Sequence, residues 1–170
     1  MKKLFLALAL AALTACSAFA QKFALVDMEY ILKNIPDYEM MNEQLETISK
    51  KYEQEVTKLE NDAEAQYKKY QSDLVFLSAE QKKQREEAIV KLEQQAAELK
   101  TKYFGPEGEL YKKRTEMMKP IQDEIWKVIK DLAQVNSLQL VLDKSTSGII
   151  FANPSIDISD LVLNKMGFGK

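Results

Sequence analysis

Apolar residues recur through the middle of this chain at helical spacing, over a stretch too long for an ordinary globular helix. From Asp37 to Phe104 there are 68 residues without glycine or proline. The stretch is dense in Glu, Lys, Gln, Ala and Leu, which favour helix, and its length points to a coiled coil. In its first half the stripe runs Met41, Leu45, Ile48, Tyr52, Val56, Leu59, Ala63, Tyr67, Tyr70, Leu74. Met41, Tyr52, Ala63 and Leu74 are eleven residues apart each time, which predicts a straight or slightly right-handed stripe. In the second half it runs Ile89, Leu92, Ala96, Leu99, Tyr103 at ordinary heptad steps. The change of period argues against one uninterrupted helix. Between the halves lies an apolar cluster, Leu74-Val-Phe-Leu77, followed by Ser78 with Gln81 three residues on. That spacing is a capping box opening a new helix. The pattern therefore predicts an antiparallel hairpin over 37–119 with its tip near 76–80, the first helix being about 60 Å long. A continuous helix is the competing reading, since no glycine marks the turn.

Beyond the hairpin the pattern changes. Gly105-Pro106 and Pro120 are expected to kink or restart the returning helix. After Pro120 the stripe Ile121, Ile125, Val128, Leu132, Val135 is widened by Trp126 and Ile129, a width that suits packing on a sheet. Lys22-Phe-Ala-Leu-Val-Asp27 and Leu138-Gln-Leu-Val-Leu-Asp143 read as short buried strands. Gly148-Ile-Ile-Phe-Ala152 reads as a third strand, joined to the second as a hairpin by Ser145-Thr-Ser turn chemistry. Ser159 reads as the N-cap of a last helix that Gly167 stops. The fold class is thus α+β. Residues 21–36 and 120–170 make a small body, and a long helical hairpin leaves it and returns. A body of that size is short of core, and oligomerisation is the expected remedy. Phe23, Leu25, Val26, Leu140, Val141 and Leu142 are the natural interface material.

The N-terminus reads as an address. Lys2 and Lys3 precede an apolar run from Leu4 to Leu13, and small residues end in Ala18-Phe19-Ala20. These are the three parts of a secretory signal peptide over residues 1–20. The complete Ala-x-Ala pattern favours cleavage after Ala20. Leu13-Thr-Ala-Cys16 also resembles a bacterial lipobox, which would make Cys16 a lipid-bearing first residue.

Composition narrows the chemistry. The chain has 170 residues, no histidine and one cysteine. Histidine-based triads and histidine-liganded metals are excluded, as is an intramolecular disulfide. The five glycines form neither a GxGxxG nor a P-loop. No cofactor is expected, and no enzyme. Asp27, Asp143 and Asp157 invite an acid/base reading, but they sit at strand ends and before a helix, ordinary places for aspartate, with no nucleophile beside them. Residues 21–170 carry 22 basic against 26 acidic side chains, a net −4. That gives no global electrostatic case for nucleic acid. Two clusters are locally basic, Lys112, Lys113, Arg114 and Lys119, and Lys82, Lys83, Arg85 and Lys91 near the tip. Such runs are ordinarily solvated helix faces.

Taken along the whole mature chain, the sequence resembles the Skp/OmpH family of periplasmic chaperones. The resemblance rests on Phe23-Ala-Leu-Val-Asp27 directly after a signal peptide and on the long charged hairpin. Its most specific parts are Leu140-Val-Leu-Asp143 and the closing Pro154-Ser-Ile-Asp-Ile-Ser-Asp-Leu-Val-Leu163. It implies a homotrimer whose helical tentacles surround a cavity holding unfolded outer-membrane proteins without ATP. The best-known members are strongly basic and this chain is acidic, so charge attraction to acidic clients does not carry over.

A holding protein needs many weak contacts rather than a pocket. Leu74, Val75, Phe76 and Leu77 at the tip are the leading client-contact candidates, with Tyr67 and Tyr70 below them. Tyr67, Tyr70 and Leu74 lie on the regular stripe and also suit a purely structural role zipping the helices. Val75 and Phe76 lie off it. Flexibility at Gly105-Pro106 is expected to let the cavity adapt. The alternative function is a structural envelope spacer, lipid-anchored through Cys16. Membrane contact through the tip is a third reading, limited by the small size of the cluster.

Overall fold

The computed structural model describes residues 22–169. The signal segment, with Ala20 and Cys16, lies outside the described residues. The chain forms two compact units. One takes the chain up to Ile35 and again from Glu124; the other is Pro36–Asp123.

The body begins with β1 (Phe23–Val26) and α1 (Met28–Lys33). Asp27 sits between them in extended conformation, and its carboxylate accepts the Tyr30 N–H at 2.9 Å, so the helix starts there. β2 (Leu140–Asp143) pairs with β1 in parallel, Phe23 opposite Leu140 and Val26 opposite Asp143. A last helix, α5 (Ser159–Met166), closes the body. Ala24, Leu25 and Val26 of β1 are buried together with Ile31, Ile35, Ile125, Val162 and Leu163. This small aliphatic set is the body's core.

The second unit is the hairpin. Its first helix, α2 (Pro36–Asp73), starts on a proline, whose missing N–H costs nothing at a helix's first position. At 38 residues it is about 57 Å long. A single 3-10 turn (Leu74–Phe76) reverses the chain, and α3 (Ala79–Phe104) returns. The capping box is present in full: Ser78 Oγ accepts the Gln81 N–H, and the Gln81 side chain accepts the Ser78 N–H at 2.9 Å. α2 buries Met41, Leu45, Val56 and Ala63, and α3 buries Ile89, Ala96 and Tyr103. These are residues of the two expected stripes. The mostly helical chain with a long helical hairpin and a two-stranded sheet is the architecture that the pattern implies.

Four expectations need correction. First, Gly148–Ala152 is no strand, and β2 has no hairpin partner. The Asp143 carboxylate gathers Ser145 N–H, Ser145 Oγ and Thr146 Oγ1, and the Ser147 hydroxyl bonds the Asp143 carbonyl. This turn takes up the residues a hairpin register would need, and Ile150 and Phe151 are left fully or largely exposed, at 102% and 85%. Second, Pro120 does not restart the helix: α4 (Glu109–Val135) runs through it. The proline is exposed, so the carbonyl it leaves unbonded faces water. Third, the widened stripe on α4 is not covered by the two-stranded sheet. Ile125 is fully buried, but Trp126 is 55% exposed and Val135 is exposed. Fourth, Ser159 is not an N-cap. It is the first residue of α5 and is buried; Oγ accepts the Asp27 N–H at 2.8 Å and donates to Asp157 Oδ1 at 2.6 Å. Gly167 does stop α5, at φ +89°.

Ile125→Ala removes a fully buried side chain from this small core. It is expected to cost about 2–5 kcal/mol, read by equilibrium urea unfolding, whereas Val90→Ala on the exposed hairpin surface is expected to cost about 0.5 kcal/mol or less.

Candidate functional site

The hairpin tip follows from a conflict between two periods. α2 keeps its eleven-residue stripe to Leu74, and the 3-10 turn then rotates the next residues off it. Val75 and Phe76 are consequently 82% and 84% exposed, while Leu74 is partly covered and Leu77 is half-buried. Tyr67 is about half exposed and its hydroxyl accepts from Gln71 Nε2 at 3.0 Å. Tyr70 is half-buried and its hydroxyl donates to Glu86 of α3. Beside it Arg85 bonds Asp73 at 2.7 Å. The six candidates therefore share the last turns of α2 and the reversal. Val75 and Phe76 are the most open of them, and Tyr70 spends its hydroxyl on linking the helices.

Midway along α2, where α3 ends, is a cluster of aromatics. The rings of Tyr52 and Tyr103 stack at 3.8 Å and 4°, and Phe104 meets both edge-on at 6.4 Å. The Tyr103 hydroxyl donates to Glu55, the Tyr52 hydroxyl donates to Glu109 at 3.0 Å, and Lys102 pairs with Glu109 at 3.2 Å. The chain then turns tightly through Gly105-Pro106-Glu107-Gly108. A Cβ on Gly105 would stand 2.4 Å from the Thr101 carbonyl oxygen, and one on Gly108 would stand 2.6 Å from that of Tyr103. The helix break expected at Gly105-Pro106 is real, and this elbow has no room for a side chain at either glycine. Tyr52 and Tyr103 were visible only as stripe residues; their stacking needed the register between the two helices.

Electrostatics follow the geometry. The hydrogen bond to the Glu55 carboxylate, with burial and the Glu55 charge, pushes the Tyr103 phenol up from 10.0 to about 12. Burial and the bond to Glu109 raise Tyr52. Bonds from Lys102 and Tyr52 hold Glu109 below the usual carboxylate range.

In the body the three aspartates converge. Lys144 Nζ lies 2.7 Å from Asp157 and 3.4 Å from Asp27. Asp143 accepts the Met28 N–H at 3.2 Å as well as its own turn's donors. Burial pushes the Asp157 carboxyl up, but Lys144 and Ser159 outweigh it and hold it low. Each carboxylate is taken up in fixing backbone, and this cluster ties β1, β2 and α5 together. Among the described residues no group of His, Cys, Asp and Glu could hold a metal ion.

Of the interface candidates, Leu25 and Val26 are buried in the chain's own core and Val141 is half-buried. Phe23, Leu140 and Leu142 face outward, and with Trp126, Ile150 and Phe151 they give the body a large exposed apolar surface. The last three were assigned to sheet packing or a strand from their apolar pattern. The basic clusters are solvated faces in part: Lys83 pairs with Glu87, Lys113 with Glu116 and Lys119 with Asp123. Among the described residues no helix is long and apolar enough to cross a membrane.

The fold consists of a small mixed body and a long antiparallel hairpin. Residues 22–166 match the family model "Outer membrane protein (OmpH-like)", and the chain belongs to that family. It is 27% identical over 168 residues to the "Chaperone protein Skp" of Yersinia enterocolitica, covering 98% of this chain and 99% of that protein. A crystal structure of an OmpH-like outer membrane chaperone from Caulobacter crescentus CB15 superposes with a TM-score of 0.70. It covers 85% of this chain and 82% of that one at 14% identity, and so speaks to the fold alone. The family is one of chaperones, not enzymes.

The Tyr103 phenol checks the elbow. Its raised pKa means that its contribution to stability is fully present below pH 10 and is lost as pH rises from 10 to about 12. A spectrophotometric titration is expected to show a late phenolate phase near pH 12 accompanied by loss of helix. Tyr103→Phe is expected to reduce the late phase, to which the raised Tyr52 phenol also contributes.

Proposed function

We propose that this chain is an ATP-independent holdase of the periplasm, exported by its signal peptide, that keeps unfolded outer-membrane proteins apart between the hairpins of a homotrimer. The observation that carries the reading is the hairpin tip, where Val75 and Phe76 stand more than four-fifths exposed at the end of a helix pair. Exposed apolar side chains on a charged helical element can touch many client segments weakly without burying any of them. Their affinity is then the sum of many fast contacts, and release needs no nucleotide. Family membership supports the chaperone role, and an outer-membrane β-barrel client fits the name of the family.

The trimer is supported by the body. Its sheet has only two strands of four residues, and Phe23, Leu140, Trp126, Ile150 and Phe151 are exposed beside it. Exposed apolar surface of this kind marks an association surface. A strand-patterned segment with no strand partner among the described residues, Gly148–Ala152, is material for pairing with a second copy.

Two measurements check this. Light scattering of residues 21–170 is expected to give three times the chain mass, and a stable monomer would contradict the cavity. A denatured outer-membrane β-barrel diluted from urea is expected to stay soluble with one trimer per client and no ATP. Replacing Val75 and Phe76 with serine is expected to weaken this protection severalfold without altering the trimer, because both side chains are solvent-exposed. Unchanged protection would remove the tip from the account.

A further inference from the structure

In the body the chain leaves β2 and returns on either side of one strand. The Lys144 N–H donates to the Val26 carbonyl at 2.8 Å, and the Ile158 N–H donates to the Leu25 carbonyl at 2.8 Å. Leu25 also bridges Asp157 in parallel. Neighbouring carbonyls of a strand point to opposite edges, so residues 145–156 form a loop that passes from one edge of β1 to the other. The Lys144 side chain closes this loop at its base. Its Nζ lies 2.7 Å from Asp157 Oδ2 and 3.4 Å from Asp27 Oδ2, and both carboxylates are only about one-quarter exposed. Ends held this close define an Ω-loop. Both legs are tied down: Ser145 and Ser147 donate their N–H groups to Asp143, and Ser155 and Ile156 donate theirs to Asn153. The middle is different. Among the described residues, 149–152 form no backbone hydrogen bond, and Ile150 and Phe151 stand open to solvent there.

We propose that Lys144 is an assembly clasp: by bridging Asp157 and Asp27 it pins the base of the 145–156 loop and holds Ile150 and Phe151 in position for a second copy of this chain. This rests on the homotrimer proposed above and names the side chain that controls it. A loop free at its base samples many positions, and fixing it on association costs conformational entropy. A loop already held in place avoids that cost, so the same apolar contact gives tighter assembly. The charges make the clasp sensitive to one residue. Without the Lys144 ammonium, the Asp27 and Asp157 carboxylates face each other with their shared cation gone, and like charges push the base apart. The partner is a second copy because the open segment Gly148–Ala152 is uncharged, and the body displays apolar surface of the same kind at Phe23 and Leu140 beside a sheet of only two strands.

Assembly is read by sedimentation of residues 21–170 over a dilution series, as the concentration at which half of the chains are assembled. Lys144→Met is expected to raise this midpoint at least about tenfold, and Lys144→Arg, which keeps the charge, by less than about threefold. A double-mutant cycle with Phe151→Ala separates positioning from a merely structural role. Phe151→Ala is expected to raise the midpoint at least about tenfold in the parent chain but less than about threefold in Lys144→Met, because an unpinned loop no longer presents the ring. Equal effects of Phe151→Ala in the two backgrounds would overturn the clasp. So would an unchanged midpoint for Lys144→Met, or for Phe151→Ala in the parent chain. If Lys144→Met loses its helix content at every concentration, Asp27→Asn replaces it in the same cycle. Asparagine caps α1 as aspartate does but removes a charge facing Lys144, and it is judged by the same coupling to Phe151→Ala. A parent chain that stays monomeric would remove the trimer and the clasp together, whereas a trimeric parent with additive effects would remove the clasp alone.

Discussion

The parallel pairing of β1 with β2 is the constraint on which the rest of the chain depends. It sets Phe23 beside Leu140 and Val26 beside Asp143, so everything between Asp27 and Gln139 is a closed excursion. Closing so long a flexible loop is entropically costly. A stiff antiparallel helix pair lowers that cost, because little of the excursion is then flexible chain. The polar cluster of Asp27, Lys144, Asp157 and Ser159 fastens the join: Ser159 bonds the Asp27 N–H, and Lys144 bridges two carboxylates at the strand ends. The aspartates that look like candidate chemistry in the sequence serve this fastening.

Stacked aromatics and two sterically required glycines mark the elbow, and toward the tip Tyr70–Glu86 and Arg85–Asp73 link the two helices.

Much of this was legible in the sequence because it depends on local rules. The stripes, their change of period, the Ser78–Gln81 capping box and the Gly105-Pro106 break are all short-range signals, and each corresponds to a feature of the fold. The misreadings share one cause. Gly148–Ala152 has the pattern of a strand, and Trp126 the position of a core residue, yet Ile150, Phe151 and Trp126 stay exposed. An apolar pattern reports a tendency to burial and does not say whether it is met. Pro120 misled for a different reason, since a proline on a solvent-facing turn need not end a helix. The Tyr52–Tyr103–Phe104 cluster was illegible because stacking depends on the axial register of two helices, which no local pattern encodes. At the tip the sequence distinguished on-stripe from off-stripe residues, and the off-stripe Val75 and Phe76 are the most exposed.

The central claim is that the hairpin, through its tip, is the surface that holds a client. Site-specific photocross-linking tests it most directly, with a photoreactive residue at Phe76 or, as a control, at the exposed Glu46 on the polar face of α2. Each form is mixed with a denatured outer-membrane β-barrel in the absence of ATP. The account predicts strong client adducts from position 76 and few from position 46. Equal adducts from both positions, or none from position 76 while aggregation is still suppressed, would contradict it.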